Sequence, residues 1–315
     1  MADILFIKTS SLGDVIHHMP AVTEAQRHRG GDRVAWMVEE AFAPLVRLHP
    51  AVGEVIPVAW RRWRKSLYAP ATLAEIRDCL RGIRARRFDI IVDSQGLARS
   101  ALMARIAHGQ RHGYDRNSIR EPFAAGFYDV RHAVALDLHA VERNRVLSGL
   151  ALSYVPHGEP AYGLDRARLA TPGARYAVLL HATARPEKEW PEESWIALGK
   201  AVSTYGVELV LPWGSADERA RAERIASAVP LARVSERMSL DAAAKLIAGA
   251  AFVVGVDTGL MHLAAALGVP LVAIFAGSRP GLTGPRGSGP MAVIGSEAGP
   301  PSVAEATAAV EGIAR

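Results

Sequence analysis

Cysteine is nearly absent from this chain: its 315 residues contain one, Cys79. No internal disulfide can form, no thiolate cluster can hold a metal, and nothing signals an oxidising compartment. Aromatic residues are scarce at 6%, against 50% hydrophobic residues overall, so the core must be largely aliphatic, which suits helices packed on parallel strands. A long apolar run is also missing. The nearest candidate, Leu260 to Gly277, is divided by His262, Gly268 and Pro270 into a helix, a turn and a strand, so no transmembrane segment is expected. The start, with acidic Asp3 and an apolar stretch ending at Lys8, lacks the basic head and longer apolar region of a secretion signal, and the mature chain is expected to begin there.

Several motifs are missing as well. The loop after the first strand-like run is neither G-x-G-x-x-G nor G-x-x-x-x-G-K-[ST], which removes the main support for hydride transfer or a P-loop. Neither H-E-x-x-H nor a D-x-D dyad stands where a divalent ion would be expected, so no metal and no cofactor is predicted. The net charge of +5 asks for an anionic partner, which could be a nucleotide, an anionic lipid or a nucleic acid. No RNP, KH, zinc or helix-turn-helix signature supports the last.

What is present is alternation. Strand-like runs at Asp3 to Lys8, Arg33 to Val38, Val52 to Val58 and Phe88 to Asp93 are separated by helical patterns such as Ala71 to Arg86 and Leu97 to His108, the signature of a parallel sheet with helices on both faces. Pro20 should kink the first helix or mark a restart. A Pro/Gly-rich stretch from Val155 to Gly173 reads as a domain linker, after which strands resume at Tyr176 to Leu180, Val207 to Leu211, Phe252 to Val256 and Leu271 to Phe275. Val303 to Arg315 reads as a closing helix with Ser302 as N-cap. Two α/β domains result, with ligands expected at the carboxyl ends of their strands.

Four segments could carry chemistry there. Asp14, in Ser11-Leu12-Gly13-Asp14, is a candidate general base at a sheet edge, although the same residues fit the S-x-x-[DE] capping box. Amides near Thr258, Gly259 and Leu260, opening a helix, could face a pyrophosphate. Asp257 beside them would contact hydroxyls or serve only as an N-cap, and His262 could donate to an oxygen or merely pack. Lys188 could neutralise phosphate at the same edge, or be a solvated loop lysine. Arg61-Arg62-Trp63-Arg64-Lys65 forms a local anion site if it is not simply a solvated face. Arg120, His139 and Arg143 add cationic potential in the same domain.

Together, Lys8 to Asp14, Arg61 to Lys65, His181 to Pro191, Leu211-Pro212-Trp213-Gly214, Met238-Ser239-Leu240 and Asp257 to Leu263 resemble the ADP-heptose:lipopolysaccharide heptosyltransferases of glycosyltransferase family 9. The first two segments resemble the type I enzymes in particular, and the likeness covers nearly the whole chain in order. The resemblance implies a GT-B fold: two Rossmann-like domains facing across a cleft, 1–160 for the acceptor and 161–300 for the ADP-sugar, with a helix over 301–315 packing back on the first domain. It implies inverting, metal-independent transfer of L-glycero-D-manno-heptose from ADP-heptose to the first Kdo of Kdo2-lipid A, by a protein peripheral on the cytoplasmic face of the inner membrane and drawn to its anionic surface.

Carried over by position, Asp14 would be the base and Lys188 would stabilise the departing diphosphate. Ser10, Gly13, Thr183, Thr258, Gly259 and His262 would line the donor phosphates, Asp257 the heptose hydroxyls, and Glu218 with Met238 the nucleoside. Arg61, Arg62, Arg64, Lys65, Arg120 and Arg143 would receive the acceptor's anionic groups. Thr183-Ala184 departs from the Thr-Thr pair frequent in the family, which removes one hydroxyl donor. Two other readings are a related heptosyltransferase acting on another sugar or on a protein, which would not need the Arg/Lys segment, and a non-catalytic nucleotide-sugar-binding protein, against which Asp14 and Lys188 argue.

Overall fold

The computed structural model describes residues 1–171, 173, 175–277 and 279–314. The chain divides into two compact units, Met1–Gly163 and Leu164–Arg315. Pro172, within the expected linker, and Arg315, at the end of the expected closing helix, lie outside the described residues.

The first unit runs β1 (Asp3–Ile7), α1 (Leu12–His28), β2 (Arg33–Glu39), α2 (Ala43–Val46), β3 (Glu54–Val58), α3 (Trp60–Trp63), α4 (Pro70–Arg84), β4 (Arg87–Asp93), α5 (Ala98–Ile106), β5 (His108–Tyr114), β6 (Val130–His132) and α6 (Ala140–Leu152). The strands pair in parallel in the order β3-β2-β1-β4-β5-β6. The chain moves outward from β1 to β3, then crosses back to β4 and moves the other way. The reversal leaves a crevice at the carboxyl ends of β1 and β4, the usual ligand position in an open α/β sheet. On one sheet face Leu5, Ile7, Met37, Ile56 and Ile91 pack against Trp63, Ile83 and Met103. The first helix runs unbroken past Pro20, so no restart occurs there.

The second unit repeats the plan: α7 (Arg166–Leu169), β7 (Tyr176–Leu180), α8 (Glu192–Ser203), β8 (Glu208–Leu211), α9 (Ala216–Ala228), β9 (Ala232–Val234), α10 (Leu240–Gly249), β10 (Phe252–Val256), α11 (Gly259–Ala266), β11 (Leu271–Ala276), β12 (Met291–Ser296) and α12 (Val303–Ile313). Its parallel order is β12-β11-β10-β7-β8-β9, so the reversal falls between β7 and β10. Gly255 stands opposite Leu180 across this pair, and a Cβ there would lie 3.0 Å from that of Leu180.

One expectation needs correction. The helical reading of Leu97 to His108 overruns, because α5 stops at Ile106 and His108 opens β5. The closing helix covers the second sheet: Ala306 and Val310 are buried in a core with Trp190, Trp195, Val272 and Ile274. Its apolar stripe is satisfied within its own unit, and Trp190 Nε1 donates to the carbonyl of Pro301 at 3.0 Å just before it. Among the described residues no helix is long and apolar enough to cross a membrane.

Candidate active site

In the first unit, the loop leaving β1 is tied to the loop leaving β4 across the crevice. The amides of Thr9 and Ser10 donate to Gln95 Oε1 at 2.9 and 3.0 Å, and Lys8 Nζ donates to the carbonyl of Ser94 at 2.8 Å. Asp93, fully buried, supports that second loop: its Oδ1 accepts the amide of Gln95 at 2.9 Å and its Oδ2 the hydroxyl of Tyr128 at 2.8 Å. Burial pushes the Asp93 carboxyl above its usual range, and these hydrogen bonds oppose the rise. The backbone that carries Ser10 to Asp14 is therefore held from both sides of the reversal.

Asp14 occupies the third helical position of α1 and closes a capping box with Ser11. The Ser11 amide donates to Asp14 Oδ2 at 2.6 Å and the Ser11 hydroxyl to the same oxygen at 3.1 Å. The capping role is realised, and it falls on one carboxylate oxygen while the residue stays partly exposed. Gly13, expected near the donor, lies inside this first turn. Charged groups of both signs gather around Lys8. Desolvation lowers the Lys8 ammonium; Asp14 and Asp93 work against that, while Arg143 and Arg120 reinforce it, so these charged groups share one locality. Arg143 donates to the carbonyl of Ser118 and lies over the Tyr114 ring at 4.9 Å. Lys8 was not singled out by role in the sequence; the signal available was a lysine closing the apolar run Ile4 to Ile7.

Beside this edge lies a cavity of about 430 Å³ lined by Ser10, Glu39, Trp60, Arg61, Trp63, Arg64, Leu67 and Arg99. The basic segment forms it because α3 buries Trp63 in the core, which turns its neighbours outward. Arg61 and Arg64 line the cavity, but Arg62 and Lys65 do not. Arg62 bridges two carboxylates, Glu40 at 2.9 Å and Glu75 at 2.7 Å, and Lys65 is exposed outside. Two residues that sequence reasoning missed join the wall. Arg99 donates to Ser10 Oγ at 3.0 Å. Glu39, 2% exposed, accepts the amide of Arg61 at 3.0 Å, with its carboxyl raised chiefly by burial.

In the second unit, Lys188 lies on a short 3-10 turn after β7 and pairs with the carboxylate of Asp257, just past β10. The Thr183 hydroxyl donates to the carbonyl of Asp257 at 3.0 Å, and His262 Nε2 stands 3.8 Å from Asp257 Oδ1. Thr258, not Asp257, is the N-cap of α11, so the purely capping reading of Asp257 fails. Lys188, Thr183, Asp257, Thr258, Gly259 and His262 thus converge on the second reversal. Glu218 and Met238 lie on its β8/β9 side. Glu218 closes a capping box on α9, accepting the amide of Gly214 at 2.6 Å, and Met238 is half-buried ahead of α10. His181, just past β7, is fully buried, and desolvation with a smaller push from Arg221 takes its imidazole down to about 4. Among the described residues no group of three or more His, Cys, Asp or Glu side chains could hold a metal ion.

The model of glycosyltransferase family 9 (heptosyltransferase) matches residues 76–309. The chain belongs to this family. It is 47% identical over 288 residues to lipopolysaccharide heptosyltransferase 1 of Pseudomonas aeruginosa, covering 90% of this chain and 81% of that relative. It is also similar to the solved E. coli heptosyltransferase WaaC with ADP, at a TM-score of 0.90 and 40% identity, covering 98% of each chain. The same enzyme with ADP-2-deoxy-2-fluoro heptose matches at a TM-score of 0.88 and 39% identity, again over 98% of each chain. This family member is therefore a GT-B glycosyltransferase.

Proposed function

We propose that this family 9 enzyme transfers L-glycero-D-manno-heptose from ADP-heptose to the first Kdo of Kdo2-lipid A, with inversion and without a metal, at the cytoplasmic face of the inner membrane. The observation that carries the reading is the pairing of one carboxylate with a cationic surround in the first unit: Asp14 beside Lys8, Arg120, Arg143 and the arginine-lined cavity. An acceptor that is itself a carboxylate and a lipid phosphate needs such a surround, whereas a neutral sugar does not.

In the proposed reaction the acceptor hydroxyl attacks the anomeric carbon as the bond to the ADP oxygen breaks. Asp14 takes the hydroxyl proton, and ADP leaves with the electron pair. Lys188 exchanges its Asp257 partner for the diphosphate and stabilises the charge that develops there, the work a divalent ion does in other transferases. Thr183, Ser10, Thr258, Gly259 and His262 hold donor oxygens, and Asp257, released from the ammonium, accepts from heptose hydroxyls. Glu218 and Met238 border the nucleoside. Arg61, Arg64, Arg120 and Arg143 receive the acceptor's anions, and Arg62 and Lys65 act at longer range.

The test is ADP release by the purified protein from ADP-heptose with Kdo2-lipid A in EDTA, beside an acceptor-free control and Asp14→Asn. Acceptor-dependent release that collapses in the variant supports the proposal. Release that needs added metal, or that survives in Asp14→Asn, rejects the mechanism; no acceptor-dependent release at all rejects the substrate assignment.

A further inference from the structure

Just beyond the arginine turn the chain exposes apolar side chains that its own packing could have covered. Tyr68 is 92% exposed, Leu73 52% and Leu67 46%. Ala69 is the N-cap of α4 and Pro70 its first residue, so Tyr68 and Leu73 hold the two positions that cover each other in a hydrophobic staple. Here both remain open to water, which is unfavourable for an isolated surface and typical of an interaction site.

The charge around them is net positive. Arg64 and Lys65 precede the apolar residues and are exposed. Arg62 bridges the neighbouring carboxylates, Glu40 and Glu75, which leaves that triad one net negative charge against the two positive charges of Arg64 and Lys65. Leu67 belongs to the exposed set and also lines the arginine cavity, which makes the patch continuous with the cavity mouth. Apolar and aromatic side chains flanked by long cationic ones match the interface of an anionic bilayer, where the rings and methyls enter the headgroup boundary and the cations meet phosphates.

We infer that residues 64–73 dock the first unit on an anionic phospholipid surface through Tyr68 and Leu73, with Arg64 and Lys65 on the lipid phosphates. The inference rests on the proposed lipid-borne acceptor and adds the surface that meets the membrane. Leu67 then places the cavity mouth at the bilayer, where an acceptor headgroup can reach the arginines while its acyl chains stay in the membrane.

The experiment is co-sedimentation of the full chain with phosphatidylcholine vesicles, with and without phosphatidylglycerol, at low and high salt, for the parent protein and the Tyr68→Ser/Leu73→Ser double variant. Transfer to detergent-dispersed acceptor and thermal melting are measured in parallel. The parent protein should bind the anionic vesicles, less so in salt. The double variant should bind about tenfold more weakly, melt at the same temperature and keep its rate on dispersed acceptor. Equal vesicle binding by the variant, or binding indifferent to phosphatidylglycerol, overturns the inference. So does a parent dimer that the double variant dissociates, because the patch is then a protein interface. Absence of transfer in detergent with vesicle binding intact overturns the proposed function and leaves the docking surface standing.

Discussion

Asp14 is proposed to serve both a fold and a reaction. Its Oδ2 accepts from the amide and hydroxyl of Ser11, which fixes the side chain at the sheet edge before any substrate arrives. Asp14→Asn keeps an oxygen for the Ser11 amide, so stability should change by less than about 1 kcal/mol, while kcat should fall by about 10² to 10⁴ through loss of the proton acceptor. Urea unfolding and single-turnover kinetics separate the two effects. The arginines divide in the same way: Arg64 lines the cavity, whereas Arg62 is held between Glu40 and Glu75. Arg64→Ala should raise the acceptor KM by about tenfold, and Arg62→Ala by no more than about twofold. Steady-state titration of acceptor at saturating donor tests this, and equal effects would remove the division. Lys188→Ala should lower kcat by about 10² or more, with weaker ADP binding by calorimetry.

At the level of elements, strand order does most of the positioning. Each sheet reverses beside its first strand, and the residues just past the paired strand ends are brought together: Lys8 with Ser94 in one unit, Lys188 with Asp257 in the other. Behind the first reversal, β5 must leave room for the Tyr128 ring that supports Asp93. A Cβ on Gly113 would stand 2.3 Å from that ring, so Gly113→Ala must displace Tyr128 and strand a fully buried carboxyl. The expected cost is on the order of 2–4 kcal/mol, read as a lower urea midpoint. An unchanged midpoint would show that the Asp93–Tyr128 bond contributes little.

Across the whole molecule, burial sets the response to acid. His49 in the first unit and His181 in the second are both held down to about 4, chiefly by desolvation, and His18 is lowered well below its usual value for the same reason. An unfolded histidine binds its proton near 6.5, so between there and about 4 the unfolded state holds more protons than the native one, and stability falls as pH falls. Each such histidine contributes on the order of 1–3 kcal/mol across that window. Asp93 pulls the other way, because its carboxyl is raised in the native state. The net expectation is a urea midpoint that drops between pH 6.5 and pH 4, with a smaller drop in His181→Asn. A midpoint level over that range would mean that these imidazoles are protonated in place.

The amino-acid sequence alone determined the repeated strand–helix alternation, the capping boxes and the family motifs. Each depends on neighbours a few residues apart: the apolar run of β1, the Ser11-to-Asp14 spacing, the Asp257-Thr258-Gly259 step into α11. The strands that escaped lack that local signal; β5, His108–Tyr114, contains two histidines, a glutamine and an arginine, and only its last three residues are buried. Tertiary structure decided which charges are available. Lys8 and Gln95 became part of the site through contacts 86 residues away, and Lys188 met Asp257 across 69. Arg62 was drawn aside by carboxylates 22 and 13 residues distant. The closing helix settled on the second sheet, where Trp190, Trp195 and Ile274 receive its apolar stripe. Hydrophobic periodicity is written along the chain and can be read there, whereas an ion pair or a shared hydrogen bond requires two distant segments to share one sheet edge.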